Sequence, residues 1–144
     1  MTLKHLNAKE RWNNYLKRRV QIVTIYNENS SVHSEQPGVD YSTLNQPELL
    51  HCFFDSDVKG GVLIEQLVGN ENVALITFAA IEQDQRGRGL CTEILCFAEQ
   101  QLQRRGIQLV GVQLNDFDDA TFWKARGFTD AVEHQNVTVL VKPY

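Results

Sequence analysis

The chain has 144 residues, 42% hydrophobic and 22% charged, with a formal net charge of -4, the size and composition of one soluble domain with a real core and no room for a second. No apolar run approaches the roughly 20 residues of a membrane helix, and the start MTLKHLNAKERW lacks the apolar stretch of a secretory signal, so the expected setting is cytoplasmic with no membrane partner. Cys52, Cys91 and Cys96 form no CxxC pair and have no His nearby at metal spacing, which argues against a metal site and for reduced thiols.

Thr2 to Leu6 alternates as a short strand, and Asn7 followed by Glu10 predicts a capping box that opens a helix from Ala8 to Tyr26. The β-branched run Val20 to Ile25 leaves a strand open within it. Asn27 to Pro47 is rich in Ser, Asn, Gln and Gly and shows neither period, so it reads as a long loop and a candidate lid over a ligand. Leu49 to Phe54, Gly61 to Leu67 and Val73 to Ile81 predict three strands of an antiparallel meander, with turns at Asp55-Ser56-Asp57 and Gly69-Asn70-Glu71-Asn72.

Leu90, Ile94, Phe97, Ala98 and Leu102 recur at helical spacing, and Arg104-Arg105-Gly106 supplies a basic last turn and a glycine cap. Ile107 to Leu114 is an apolar strand, so strand, glycine loop, helix and strand make one βαβ crossover. Phe117 to Arg126 reads as a second helix closed by Gly127, and Phe128 to Glu133 with Val137 to Lys142 as a final hairpin.

Charge falls in three blocks. Residues 1–26 carry six Lys/Arg against Glu10, residues 27–84 carry ten Asp/Glu against Lys59, and residues 85–144 balance at seven each. The middle block is either a solvated acidic surface or an acidic cleft that attracts a cationic amine and repels nucleic acid phosphates.

Chemistry is concentrated in Ile81-Glu82-Gln83-Asp84-Gln85-Arg86-Gly87-Arg88-Gly89-Leu90-Cys91-Thr92, where a strand ends, two glycines follow and a helix begins. Glycines let the backbone approach a ligand, and the first amides of a helix have no internal partners, so such a loop can cradle a pyrophosphate, with Arg86 and Arg88 adding charge. A P-loop requires a Lys and Ser/Thr pair that does not follow Gly89, and a dinucleotide fingerprint requires a glycine where Thr92 stands. A purely structural turn stays open on the loop alone.

The string Gln85-Arg86-Gly87-Arg88-Gly89-Leu90 resembles the R-x-x-G-x-G/A segment of the GCN5-related N-acetyltransferases, the GNAT family. Ala120-Thr121-Phe122-Trp123-Lys124-Ala125-Arg126-Gly127-Phe128 is similar to that family's helix ending in Gly-Phe, at the expected separation. The resemblance implies an α+β fold, with a mixed sheet of six or seven strands, flanked by helices and splayed between the fourth and fifth strands. Acyl-coenzyme A would lie in the gap, its pantetheine on the backbone of Ala79, Ala80 and Ile81, its pyrophosphate on the segment Arg86, Gly87, Arg88, Gly89, Leu90, Cys91 and Thr92. Asn115 would face the pantetheine arm, and Trp123 joins the cofactor-binding set where many relatives place a tyrosine.

The implied reaction is transfer of an acetyl or acyl group from acetyl-coenzyme A to a small-molecule or protein amine, by direct attack in a ternary complex and without a metal. Relatives often dimerise, so a homodimer is open. Three positions depart from the pattern. Cys91 replaces a final Gly or Ala, Leu75 stands where histone-type relatives place a glutamate base, and the Trp123 indole cannot donate a proton to a leaving thiolate at neutral pH. Glu82 and Asp116, with His33 behind them, are the remaining candidates to accept a proton through water. The alternatives are an acyl-coenzyme A sensor without turnover and an interaction module of the same fold, in which the final hairpin pairs between subunits.

Overall fold

The computed structural model describes residues 2–29, 46–113, 120–134 and 137–144. The chain forms β1 (Leu3–Asn7), α1 (Trp12–Asn29), β2 (Leu50–Asp55), β3 (Gly60–Leu67), β4 (Asn70–Ile81), α2 (Leu90–Arg104), β5 (Leu109–Gln113), α3 (Ala120–Ala125), β6 (Asp130–His134) and β7 (Val137–Pro143). All the strands join one seven-stranded sheet in the order β1-β2-β3-β4-β5-β7-β6. Among the described strand pairs only β4 and β5 run parallel; α2 supplies the crossover between them. The fold is thus the α+β arrangement of a mixed sheet with flanking helices.

The capping box does not form. Asn7 ends β1, and its Oδ1 accepts the amide of Lys9 at 3.1 Å while its own amide donates to the carbonyls of Glu48 and Leu50. The side chain is spent on a turn that ties β1 to β2, and the helix starts five residues later at Trp12. The Val20 to Ile25 run is helical throughout, because Tyr15, Arg19, Ile22, Val23 and Ile25 form a buried stripe while Val20 is 59% exposed. Burying a side chain such as Ile22 is worth roughly 1.5–3 kcal/mol, enough to override the weak helix propensity of β-branched residues.

Other boundaries move by one to three residues. A 3-10 turn at Pro47–Leu49 delays β2 to Leu50, and β4 begins at Asn70, so the expected four-residue turn shrinks to one around Val68-Gly69. Gly69 supplies the positive φ of 83° there. The fifth strand runs Leu109–Gln113 and the second predicted helix is described as Ala120–Ala125. Most of the proposed lid, residues 30–45, lies outside the described residues, as do Leu114 and residues 117–119.

Helices cover both faces of the sheet, α2 and α3 on one and α1 on the other. Phe53, Val62, Ile64, Ala74 and Ile76 pack with α2, whereas Cys52, Phe54, Leu63, Phe78 and Ala80 pack with α1. Ile76 and Phe78 thus lie on opposite faces although they are two residues apart. The register explains it: Ile64 pairs with Ile76 and Leu63 with Phe78, leaving Thr77 as the extra residue of a β-bulge.

Candidate functional site

The bulge and the opening of the sheet coincide. Val73 to Ile76 pair with Leu109 to Val112, and the pairing stops there, so the β5-facing backbone of Thr77 to Ile81 has no strand partner among the described residues. Ala79 and Ile81 pack toward α2, and Ala80 toward α1.

Past β4, the amide of Glu82 donates to the Lys59 carbonyl at 2.8 Å, and one 3-10 turn, Gln83–Gln85, leads to Arg86. Gly87 and Gly89 have φ of 76° and 79°, a region costly for residues with a Cβ, and a Cβ built on either would meet nothing within 4 Å. The backbone is bent, and the space above it is open. Gly89 caps α2, and the Glu93 amide is the first in the helix to find a main-chain acceptor, the Gly89 carbonyl at 3.0 Å. Among the described residues the amides of Gly87, Arg88, Gly89, Leu90, Cys91 and Thr92 donate to no backbone carbonyl. Six N–H groups at the positive end of a fifteen-residue helix are thus left without a main-chain acceptor, beside the open space above Gly87 and Gly89 and the exposed Arg86 and Arg88. Such an arrangement can hold a multiply charged anion.

Arg126, for which sequence reasoning assigned no role, joins this region. Its Nε and Nη2 donate to the Thr92 hydroxyl at 3.3 and 2.8 Å, and Nη1 donates to the Phe122 carbonyl at 3.2 Å. The guanidinium lies 3.9 Å from the centre of the Phe122 ring. Cys91 is half-buried beside them; burial pushes its thiol up to about 11, opposed only in part by Arg126. It stays protonated at neutral pH and is a packing residue, not a nucleophile.

Trp123 is 6% exposed, edge-on to both Phe122 and Phe128 at centroid distances of 5.2 and 5.5 Å. Its indole is part of the core beneath the site. Leu75 likewise packs at the β4–β5 junction, opposite Gly111. Glu82 lies with Glu28, Gln83 and Asp84 around an open cavity of ≈ 460 Å³ where α1 ends and β4 gives way to the glycine loop. Glu28 was visible in the sequence only as one acidic residue among ten. Asn115, Asp116 and His33 lie outside the described residues.

The sequence profile of the acetyltransferase (GNAT) family matches residues 19–128, which takes in α1 from Arg19 onward, the glycine loop and the helix that ends in Gly127-Phe128. The chain belongs to the GNAT family. No curated protein matches it by sequence. Among solved structures it resembles the NatC complex bound to Gag peptide and CoA, with a TM-score of 0.65 at 15% identity over 100% of this chain and 99% of that one. PaiA N-acetyltransferase from Thermoplasma acidophilum, in complex with coenzyme A, gives 0.64 at 13% identity over 100% of both chains. Tetrahymena GCN5 gives 0.65 at 13% identity over 99% of this chain and 96% of that one. At such identities the likeness is one of fold. GNAT membership rests on the profile match, and the parted β4 and β5 are where the resemblance placed them.

Proposed function

We propose that this GNAT protein is an N-acetyltransferase that moves an acetyl group from acetyl-coenzyme A to an amine acceptor. The observation that carries the reading is the row of unspent amides from Gly87 to Thr92 beside the gap that opens after Ile76 and Val112. The residues fit the co-substrate: two left-handed glycines without a Cβ, a helix N-terminus and arginines suit a diphosphate. The unpaired backbone of Thr77 to Ile81 suits an amide-bearing pantetheine arm, as an added strand would be received.

When bound, acetyl-coenzyme A supplies a thioester carbonyl open to attack by a neutral amine. The chain's own part is to hold the two reactants together, which can lower a barrier by several kcal/mol without any acidic or basic side chain. Glu82 and Asp116 are the candidates to receive the amine's proton through water. The half-buried Glu82 is tied to the end of β4 by its amide on Lys59. The cavity lined by Glu28, Glu82 and Asp84 supports a cationic acceptor, a small amine or a protein amine, over any phosphate-bearing one. Three free cysteines suit a reducing, cytoplasmic setting.

A second reading, an acyl-coenzyme A sensor of the same fold, is favoured by the burial of Trp123, which leaves that position with no proton donor facing the gap. A free-thiol assay with acetyl-coenzyme A and a broad amine panel separates the two. Turnover supports the transferase, whereas tight binding with no thiol release across the panel supports the sensor. Gly89→Glu adds bulk and negative charge at the open face of the loop and should abolish coenzyme A binding; affinity within about threefold of the parent would remove both readings.

A further inference from the structure

Arg126 sits in an electrostatic position that no described residue balances. Its guanidinium is held against Thr92, the third residue of α2, where the helix presents its positive end and its unspent amides. No described carboxylate pairs with it; the salt bridge on this side of the molecule, Lys142 to Glu99, involves neither Arg126 nor the loop. Its neighbours are a hydroxyl, a carbonyl and an aromatic face, which orient the group without neutralising it. Two positive elements fixed side by side repel each other until an anion joins them.

The donor inventory points the same way. A guanidinium carries five N–H groups, and Thr92 and Phe122 take three, one from each nitrogen. One N–H is left on each of Nη1 and Nη2, a fork matched to two oxygens of a phosphate. Stacking on Phe122 and the two hydrogen bonds to Thr92 fix the plane of that fork before any ligand arrives, so little rotamer freedom is lost when it engages.

We propose that Arg126 is a phosphate-binding residue of this site, positioned by Thr92 and Phe122, and that it closes the anion cradle from the α3 side. The proposal rests on the coenzyme A reading above, and the shared chemistry is a phosphate ester, either of the diphosphate or of the 3′-phosphate. The test is calorimetry on Arg126→Met and Arg126→Lys with three probes: coenzyme A, dephospho-coenzyme A, which lacks the 3′-phosphate, and pantetheine, which lacks phosphate altogether.

Arg126→Met should weaken coenzyme A by about tenfold or more and leave pantetheine unchanged, with Arg126→Lys in between because it keeps the charge and loses the fork. An equal loss with dephospho-coenzyme A assigns the diphosphate; a loss confined to coenzyme A assigns the 3′-phosphate. A purely structural arginine would weaken all three probes together, and that outcome overturns the proposal. So does coenzyme A affinity within about threefold of the parent in both variants while the parent binds. Failure of the parent itself to bind coenzyme A would remove the underlying reading, and this proposal with it.

Discussion

Gly111 lies against Leu75 so closely that a Cβ on the glycine would come within 3.0 Å of Leu75 Cδ2, and within 2.5 Å of Val139 Cγ1 on the other side. The contact belongs to the second-last rung of the parallel pair, immediately below the point where β4 and β5 part. Gly111→Ala should therefore act as a wedge under the opening and cost about 1–3 kcal/mol. Urea denaturation of the two proteins checks it; equal midpoints and slopes would show that the strands yield freely there.

Asp55 is 2% exposed, and one carboxylate oxygen accepts the amides of Lys59 and Gly60 at 2.8 and 2.9 Å. The carbonyl of Lys59 in turn holds the Glu82 amide, so this turn fixes the exit of β4. Asp55→Ala strands two amide donors, that of Gly60 buried, and should cost roughly 2–4 kcal/mol, whereas Asp55→Asn keeps an acceptor oxygen and should cost less than half of that. Chemical denaturation giving the two variants the same stability would contradict the assignment.

A histidine pair makes stability depend on pH. The Gln66 amide nitrogen donates to the Glu71 carbonyl, so its oxygen faces His51 Nε2 at 2.7 Å and that nitrogen carries the proton. His51 Nδ1 is then the acceptor for His5 Nε2 at 3.0 Å, and both rings are neutral. Burial above all holds His51 down to about 4, against the pull of its Gln66 hydrogen bond, and burial with the neighbouring His51 and Arg105 holds His5 down to about 3.

Both folded values lie below the ordinary 6.5, so the unfolded chain binds protons that the fold refuses. Stability should be level above that ordinary value and fall as pH drops toward 4, by about 1.4 kcal/mol per pH unit for His51 at the steepest. Denaturant midpoints between pH 8 and 5 provide the measurement, and His51→Gln should flatten the profile. A parent protein as stable at pH 5 as at pH 7.5 would refute this.

Trp123→Phe preserves an apolar ring in the core and removes the indole N–H. If the indole has no part in proton transfer, turnover per folded enzyme should stay within about threefold of the parent, while Trp123→Ala should cost about 3–5 kcal/mol of stability. A Phe variant that folds and binds coenzyme A yet loses tenfold or more in turnover would assign the indole a direct role.

The parts legible in the sequence are those whose signal is local. Leu90 to Leu102 with Gly106 marks α2 correctly, and the run Gln85 to Thr92 marks the loop, because spacing and glycines carry the information in consecutive residues. Asn7 shows the limit. Its spacing to Glu10 spells a helix cap, but carbonyls from Glu48 and Leu50, more than forty positions away, take its amide instead. Arg126 was likewise invisible, since nothing near it reports that Thr92, 34 positions earlier, will lie against it.

Strand alternation misleads at Thr77 for a related reason. Strict alternation would put Ala74, Ile76, Phe78 and Ala80 on a single face, yet the first two pack toward α2 and the last two toward α1. The bulge shows only in the pairing with β3, so period-2 reasoning has no access to it.

The extra residue at Thr77 makes this strand sensitive to counting as well as to chemistry. Deleting Thr77 would leave Ile76 opposite Ile64 and Phe78 opposite Leu63, in ordinary alternation and on the faces they occupy now, so what the deletion removes is the bend where β4 leaves β5. A one-residue shortening at this point should therefore spare both packed layers and be felt at the mouth of the gap.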